Sequence, residues 1–438
     1  MRTAARPLVA ALLLAVAMTI GGCGGAGVLP AVDIHGAGFG TNASGTVRLW
    51  ARAGMAGAYQ FLTDRFNATH RGVHVELTII PDTQYVTKFA TAVRGRDVPD
   101  VVGIDDINST LLAYHDALTN MTPLLDQLPF KKQLSPGHLN LATISGRAYA
   151  IPVAADISVL FYNKRIFAAA GLDPNRPPRT TAGVLSDARA ITAKVHNVKG
   201  YSIAGDNPGI LGFTGLPIVW ASHTHLFSGP LDSQHVNVAH NQAMHKLLQL
   251  YRTMWTEQLM PSSDRTDSGA TWGKDFLAGT VGMWPGNWAS LAGKIPANLR
   301  GQVGATVFPG VGGGRSEFDG GDNISIPRGA SNPSGAWEFI EFALEAKQQA
   351  ELPASGFTPV RSDVDTAQFR KKFPLDAVAL ANLKSGYAEK TLAYNLAINQ
   401  TSSPFTQMIT DAVFGGNVDS VVNGAQTGFV RALQEAED

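Results

Sequence analysis

Two adjacent carboxylates, Asp105 and Asp106, stand directly after an apolar run that ends at Ile104. A third, Asp156, sits between the apolar stretches 150–155 and 157–162. An unpaired carboxylate is costly to bury, so Asp156 belongs at a cleft or in a salt bridge. Asp105 and Asp106 would either meet a ligand beyond the carboxyl end of a strand or cap a helix that starts there. Asn108 and Ser109 close by suit the cap. Trp284, Asn287 and Trp288 cluster around Pro285-Gly286, a pattern that serves equally as a stacking surface or as a lid on a core. Carboxylates and amides that pair with hydroxyls, beside aromatic faces that cover C–H edges, are the groups that hold a polyhydroxy molecule. A glycosidase also needs two carboxylates, ~5–10 Å apart. Adjacent Asp105 and Asp106 are no sign of that, because neighbours in sequence often point apart.

Other chemistries find little support. The chain has no G-x-S-x-G elbow, no H-E-x-x-H and no phosphate loop ending in Gly-Lys-Ser/Thr. His223-Thr224-His225 is half a metal pair without an evident third ligand, and reads as a polar loop. Gly312-Gly313-Gly314 reads as a turn. A single cysteine in 438 residues excludes a disulfide framework, a zinc ribbon and a C-x-x-C pair. With 35 basic and 35 acidic residues the net charge is zero, which argues against a nucleic-acid partner. No metal and no cofactor is expected.

These residues need elements to position them, and 438 residues with 45% apolar content suffice for two or three domains. Residues 1–22 read as a secretory signal: Arg2 and Arg6 precede an uncharged run, 8–20, too short for a membrane span. The run closes on Ile20-Gly21-Gly22-Cys23, which resembles a bacterial lipobox. That resemblance implies lipidation of Cys23 and anchorage at the extracytoplasmic face of the cell membrane. Residues 23–45, rich in Gly and Ala, read as a flexible tether. Alternation predicts strands at 46–50 and 73–79, and apolar residues at helical spacing predict helices at 58–66 and 85–93. A buried strand follows at 98–104. Strand, helix, strand, helix, strand is the signature of an α/β layer with a largely parallel sheet. Beyond it, extended pieces are expected at 148–153 and 159–162, and helices at 166–170, 181–195, 241–258 and 336–352.

Four segments together resemble the family 1 extracellular solute-binding proteins of ABC importers. They are Asp97-Val98-Pro99-Asp100-Val101-Val102; Ala150-Ile151-Pro152 with Leu160-Phe161-Tyr162-Asn163-Lys164; Phe276-Leu277-Ala278-Gly279 with Met283-Trp284 and Gly286-Asn287-Trp288; and Ala336-Trp337-Glu338-Phe339-Ile340 with the run 355–361. They occur in the family's order across roughly residues 46–438. Within the family the chain is most similar to actinobacterial sugar- and glycerophosphodiester-binding lipoproteins. The resemblance implies a two-lobe, type II periplasmic-binding-protein fold of α/β class, with residues 46–154 plus 323–372 in one lobe and 155–322 plus 373–438 in the other. It also implies hinge closure over a cleft, a monomer, and a permease with a separate ATPase as partners. The family's helix near 181 usually opens with Trp where this chain has Thr181.

The resemblance adds candidate ligand contacts to Asp105, Asp106, Asp156, Trp284 and Asn287. Tyr85 lies where related lipoproteins place a ligand-facing Tyr, and Trp220 matches the family's stacking Trp. Asp322 and Asn323 follow Gly320-Gly321, where the family's backbone approaches the ligand. Phe357 replaces what is often Tyr. Tyr394 and Asn395 lie near where some relatives carry a phosphate-contacting Arg, but no Arg or Lys occurs between Lys390 and Arg431. Several Asp in one cleft would repel a phosphate, so the expected ligand is a sugar, best of all a cationic amino sugar or its short oligomer. A glycerophosphodiester is the alternative ligand. A surface or adhesive lipoprotein without transport function is the alternative class, and an enzyme is not expected.

Overall fold

The computed structural model describes residues 29–35 and 39–437. The signal segment 1–22, Cys23 and the first part of the tether lie outside the described residues. The elements that matter for the site are seven strands and the helices between them. In chain order they are β1 (Gly45–Arg52), α1 (Ala56–Thr69), β2 (Val73–Ile80), α2 (Asp82–Gly95), β3 (Val101–Asp105), α3 (Asp106–Tyr114), α4 (Pro136–Ala142) and β4 (Ile151–Asn163). There follow α5 (Thr181–Lys194), α6 (Pro208–Trp220), α7 (Gln242–Thr256), β5 (Met283–Asn287), β6 (Val303–Thr306), β7 (Asp319–Ser325), α8 (Pro333–Ala343), α9 (Pro404–Phe414) and α10 (Val418–Glu437).

One seven-stranded sheet runs β6-β4-β7-β3-β1-β2, with β5 paired to the part of β4 beyond β7. β1 pairs in parallel with β2 and β3, as short β-α-β crossovers require. β7 runs antiparallel between β3 and β4 and sets Asp322 opposite Asp105 and Gly320 opposite Asp156. The β4–β7 register shifts at Asp322/Asn323, where Pro152 is the partner. Proline lacks the N–H that a regular ladder would use, so a bulge falls there naturally. Gly321 has φ +129°, and a Cβ on it would lie 2.3 Å from the carbonyl oxygen of Ala154. Only glycine lets β7 lie this close to β4.

Two large hydrophobic cores flank this sheet. The first gathers Val47, Leu49, Phe66, Val153 and Phe339, and the second Phe167, Leu216, Leu247, Phe405 and Phe429. β4 serves both: Val159 and Phe161 enter the first core, Leu160 and Tyr162 the second, because successive side chains on a strand point to opposite faces.

The sequence reading needs amendment at four places. The two extended pieces around Asp156 are one continuous strand of 13 residues. The strand expected from Val98 begins at Val101, after Pro99. The expected helix 336–352 stops at Ala343 and resumes as the short turn Ala346–Gln349, with Glu345 extended at ψ 140° between them. The break lets the buried Gln349 amide donate to the carbonyls of Val153 and Ala343, both at 2.9 Å. Finally, Leu29 and Ile34, inside the stretch read as a free tether, are 4% and 3% exposed.

Candidate functional site

A cavity of about 760 Å³ opens at the carboxyl ends of β1 and β3. Its charged lining is one cation, Arg52, and four carboxylates: Asp82, Asp105, Asp106 and Asp156. Arg52 ends β1, so its guanidinium reaches over the sheet edge. Nε donates to Asp322 Oδ1 at 2.5 Å and Nη2 to the carbonyl of Gly321 at 3.2 Å. Nη1 lies 3.3 Å from Asp82 Oδ1 and 3.7 Å from Asp105 Oδ2. Three carboxylates thus converge on one guanidinium. Burial works against its charge, but Asp105 and Asp322 more than reverse that and hold Arg52 protonated.

Asp105 and Asp106 lie at the β3–α3 junction. Asp105 occupies the N-cap position of α3, yet its side chain makes no capping hydrogen bond; it turns instead toward Arg52. Asp106 Oδ1 accepts from the Ile107 N–H at 2.9 Å, while Oδ2 is buried without a hydrogen-bond partner. Its nearest imidazole, His138 of α4, is 3.8 Å away and is 3.0 Å from the Gly320 carbonyl through the same Nε2. A carbonyl only accepts, so that nitrogen carries the hydrogen. Burial, and then the charges of Asp105 and Asp319, push the Asp106 carboxyl well above its ordinary range.

Asp156 faces the cavity from the middle of β4. Both its oxygens accept from Asn287 Nδ2, at 2.8 and 2.9 Å. Burial pushes its carboxyl up to about 6, with the Asn287 amide pulling the other way. Asn287 is held in turn, because its Oδ1 caps the short helix that begins at Trp288 by accepting from Ser290 N–H at 3.0 Å. Beneath the lining, Asp322 is also raised to about 6, by burial against the pull of Arg52.

Aromatic side chains complete the lining: Phe213 of α6, Trp272, Phe318 and Tyr394. Phe213 and Phe318 rings are 5.3 Å apart, and Trp272 meets Phe213 edge-on at 6.4 Å. The Trp272 indole N–H is buried without a partner. Asn207 and Asn399 add carboxamides; Asn399 belongs to a single π-helical turn, 395–399. Carboxylates and amides are therefore set around an aromatic surface, which is the complement of a sugar ring.

Of the eleven residues expected from sequence, Asp105, Asp106, Asp156 and Asn287 line this cavity. The other seven are placed elsewhere. Asp322 lies one layer beneath, on Arg52. Trp220 is buried behind Phe318, its indole N–H donating to Glu389 at 2.8 Å. Trp284 is a core residue stacked between Phe161 and Phe276, at 5.6 and 5.7 Å. Asn323 is wholly buried and donates to Ser109 Oγ and to the His138 carbonyl, because successive side chains on a strand point to opposite faces and Asn323 turns away from the face that Asp322 takes. Tyr85 is buried with its hydroxyl on the Trp50 carbonyl. Phe357 packs in the first core. Asn395 donates to Asn108 at 2.7 Å, tying the π-turn to α3, while its neighbour Tyr394 faces the cavity.

Sequence reasoning missed Arg52, Asp82, Asn207, Phe213, Trp272, Phe318 and Asn399, and noted Tyr394 only for its place near the Arg of some relatives. A signal existed for two of them. Arg52 follows the predicted first strand by two residues, at its carboxyl end, and Phe213 lies two helical turns before Trp220. Among the described residues, no group of three or more His, Cys, Asp or Glu could hold a metal ion. Nor, among them, is any helix long and apolar enough to cross a membrane.

Comparison with known proteins decides the family. The model of the bacterial extracellular solute-binding proteins matches residues 52–350. The chain belongs to that family. It is 22% identical over 332 residues to the sn-glycerol-3-phosphate-binding periplasmic protein UgpB of Brucella melitensis, covering 70% of this chain and 73% of the relative. Among solved structures it resembles the sugar-binding protein MalE of Xanthomonas citri, with a TM-score of 0.79 and 20% identity over 89% of this chain and 98% of that one. It also resembles UgpB of Mycobacterium tuberculosis in complex with glycerophosphocholine, with a TM-score of 0.72 and 22% identity over 90% and 99%. The fold is thus the two-lobe periplasmic-binding-protein fold, and the chain is the solute-binding component of an ABC importer. The relatives are binding proteins rather than enzymes.

Proposed function

We propose that this solute-binding protein captures an amino sugar, or a short oligomer of one, and passes it to a permease driven by a separate ATPase. It does so as a monomer, without turnover, held at the extracytoplasmic face of the membrane by lipid on Cys23. The observation that carries the ligand class is the charge balance of the cavity. Its one guanidinium is already met by three carboxylates, while Asp106 keeps an unpartnered oxygen and Asp156 is held only by an amide. An incoming phosphate would find no free cation and several carboxylates. An ammonium with neighbouring hydroxyls would find acceptors at Asp106 and Asp156 and an aromatic surface for its ring.

A second reading follows from the relatives that bind glycerol-3-phosphate and glycerophosphocholine. A quaternary ammonium would be welcome among these aromatics, but the attached phosphate would not be. Calorimetric titration of the protein with glucosamine, chitobiose, trehalose and glycerophosphocholine separates the readings. Binding of the amino sugars ahead of trehalose supports the proposal. Binding of glycerophosphocholine with no response to the sugars would overturn it.

A further inference from the structure

We infer that residues 29–35 and 39–44 form a strap that seats one face of the part built on the first core against the lipid surface, so that the anchored protein cannot turn freely above the membrane. This rests on the proposed lipidation of Cys23. The strap is held at three points. Leu29 enters a small third core with Phe89, Val98, Ile104 and Leu118. Beside it, the Arg328 Nε donates to the Leu29 carbonyl at 2.9 Å and the Gly329 N–H to that of Pro30 at 3.1 Å. Gly329 has φ +81°, and a Cβ there would lie 3.2 Å from the Leu29 side chain. Ile34 is a second apolar peg, in the first core. Further on, the Gly40 N–H donates to Ser334 Oγ at 2.9 Å, and Gly40 packs so closely on Trp337 that a Cβ would fall 2.4 Å from the indole.

Chain length converts this docking into a constraint on position. Leu29 is six residues from Cys23, and a fully extended chain covers at most ~3.3–3.6 Å per residue, or about 20 Å. Were the tether free to Gly45, the same limit would be about 75 Å. In root-mean-square terms a free Gly-rich chain gives ~13 Å for the short segment and ~26 Å for the long one. The Leu29 socket, formed by the end of α3 and the 328–329 turn, is therefore the point held nearest the headgroups. The part of the protein built on the first core is then the stationary one, and the part built on the second core is free to swing as the cleft closes.

The test uses the full lipidated chain in vesicles of phosphatidylethanolamine and phosphatidylglycerol, with an acceptor-labelled lipid and a donor on H115C, an exposed position at the end of α3. Leu29→Asp with Ile34→Asp should undock the strap. A 15-residue Gly-Ser insertion after residue 27 should lengthen the tether while leaving the strap docked, and it serves if the double variant folds poorly. Both should increase the mean donor-to-membrane separation by about 10–15 Å and leave ligand affinity unchanged. Vesicle-bound protein whose energy transfer is the same in all three forms would overturn the strap alone. Wild-type protein that does not float with the vesicles would overturn the lipidation reading, and the strap's membrane role with it.

Discussion

Replacing Asp156 by Asn should weaken amino-sugar binding and strengthen the fold at the same time. The side chain keeps its shape and one acceptor oxygen but loses its charge. A hydrogen bond to a charged group contributes about 1.5–3 kcal/mol and a neutral one about 0.5–1.5. The difference, about 1–2 kcal/mol, corresponds to a 5- to 30-fold weaker glucosamine affinity at pH 7.5. Wild-type affinity should itself depend on pH. The Asp156 carboxyl is raised to about 6 by burial, offset in part by the Asn287 amide, so at pH 5 roughly nine in ten molecules carry the proton and affinity falls about 4- to 8-fold, most of the way to that of the Asn variant. The Asn variant should be flat over this range, and the two proteins should converge near pH 5. Stability moves the other way. An acid raised on folding binds its proton more tightly in the native state, so its cost to stability appears as pH rises from about 4 to about 6 and is complete above that. Removing it should stabilise the protein at pH 7.5 by up to about 3 kcal/mol, read as a higher Tm. Calorimetry with glucosamine and trehalose at pH 5 and 7.5, with thermal melts at both, checks all of this. Equal losses for glucosamine and trehalose, or no loss for either, would refute the assignment of Asp156 to an ammonium.

Three further predictions concern the rest of the cavity. Trp272→Ala should cost sugar affinity about 0.5–1.5 kcal/mol and lower Tm less than Trp220→Ala or Trp284→Ala, both buried, which should each lower stability by about 3–5 kcal/mol; a reversed pattern in melts and titrations would mean the aromatic surface is wrongly placed. Arg52→Gln leaves Asp322 buried beside no cation and should destabilise the fold by about 3–5 kcal/mol, which denaturant titration would show. Gly321→Ala forces a methyl within 2.3 Å of the Ala154 oxygen at φ +129° and should lower Tm sharply. Gly312→Ala meets nothing within 4 Å and should leave Tm where it is.

Legibility tracked how local each cause was. The β1-α1-β2-α2-β3 layer was readable because strand alternation and helical spacing are written in consecutive residues. Asp105 and Asp106 were readable because the edge of a strand is a place that local pattern locates. Asp156 was flagged by its cost, one charge between two apolar runs. Trp220 and Trp284 misled because a buried Trp and a stacking Trp have the same neighbours in sequence. What separates them is a partner far along the chain, Glu389 for one and Phe161 for the other. Phe213, Trp272, Phe318 and Tyr394 share a surface but come from segments spread over some 180 residues, so no window of sequence contains them together.

By itself, then, the order of residues determined the α/β class, the segments that mark the family, the neutral charge and the acidic residues at one strand edge, since each depends on neighbours within a turn or a strand. Only the tertiary structure decided which carboxylates are spent on Arg52 and which are left for a ligand. It also decided which tryptophans are core, and that Leu29 and Ile34 dock instead of trailing. Those outcomes depend on β7 entering antiparallel between β3 and β4, which sets Asp322 across from Asp105 and Gly320 across from Asp156. Such long-range pairing brings together charges more than 150 residues apart, and their sum, not any one of them, sets what the cavity will accept.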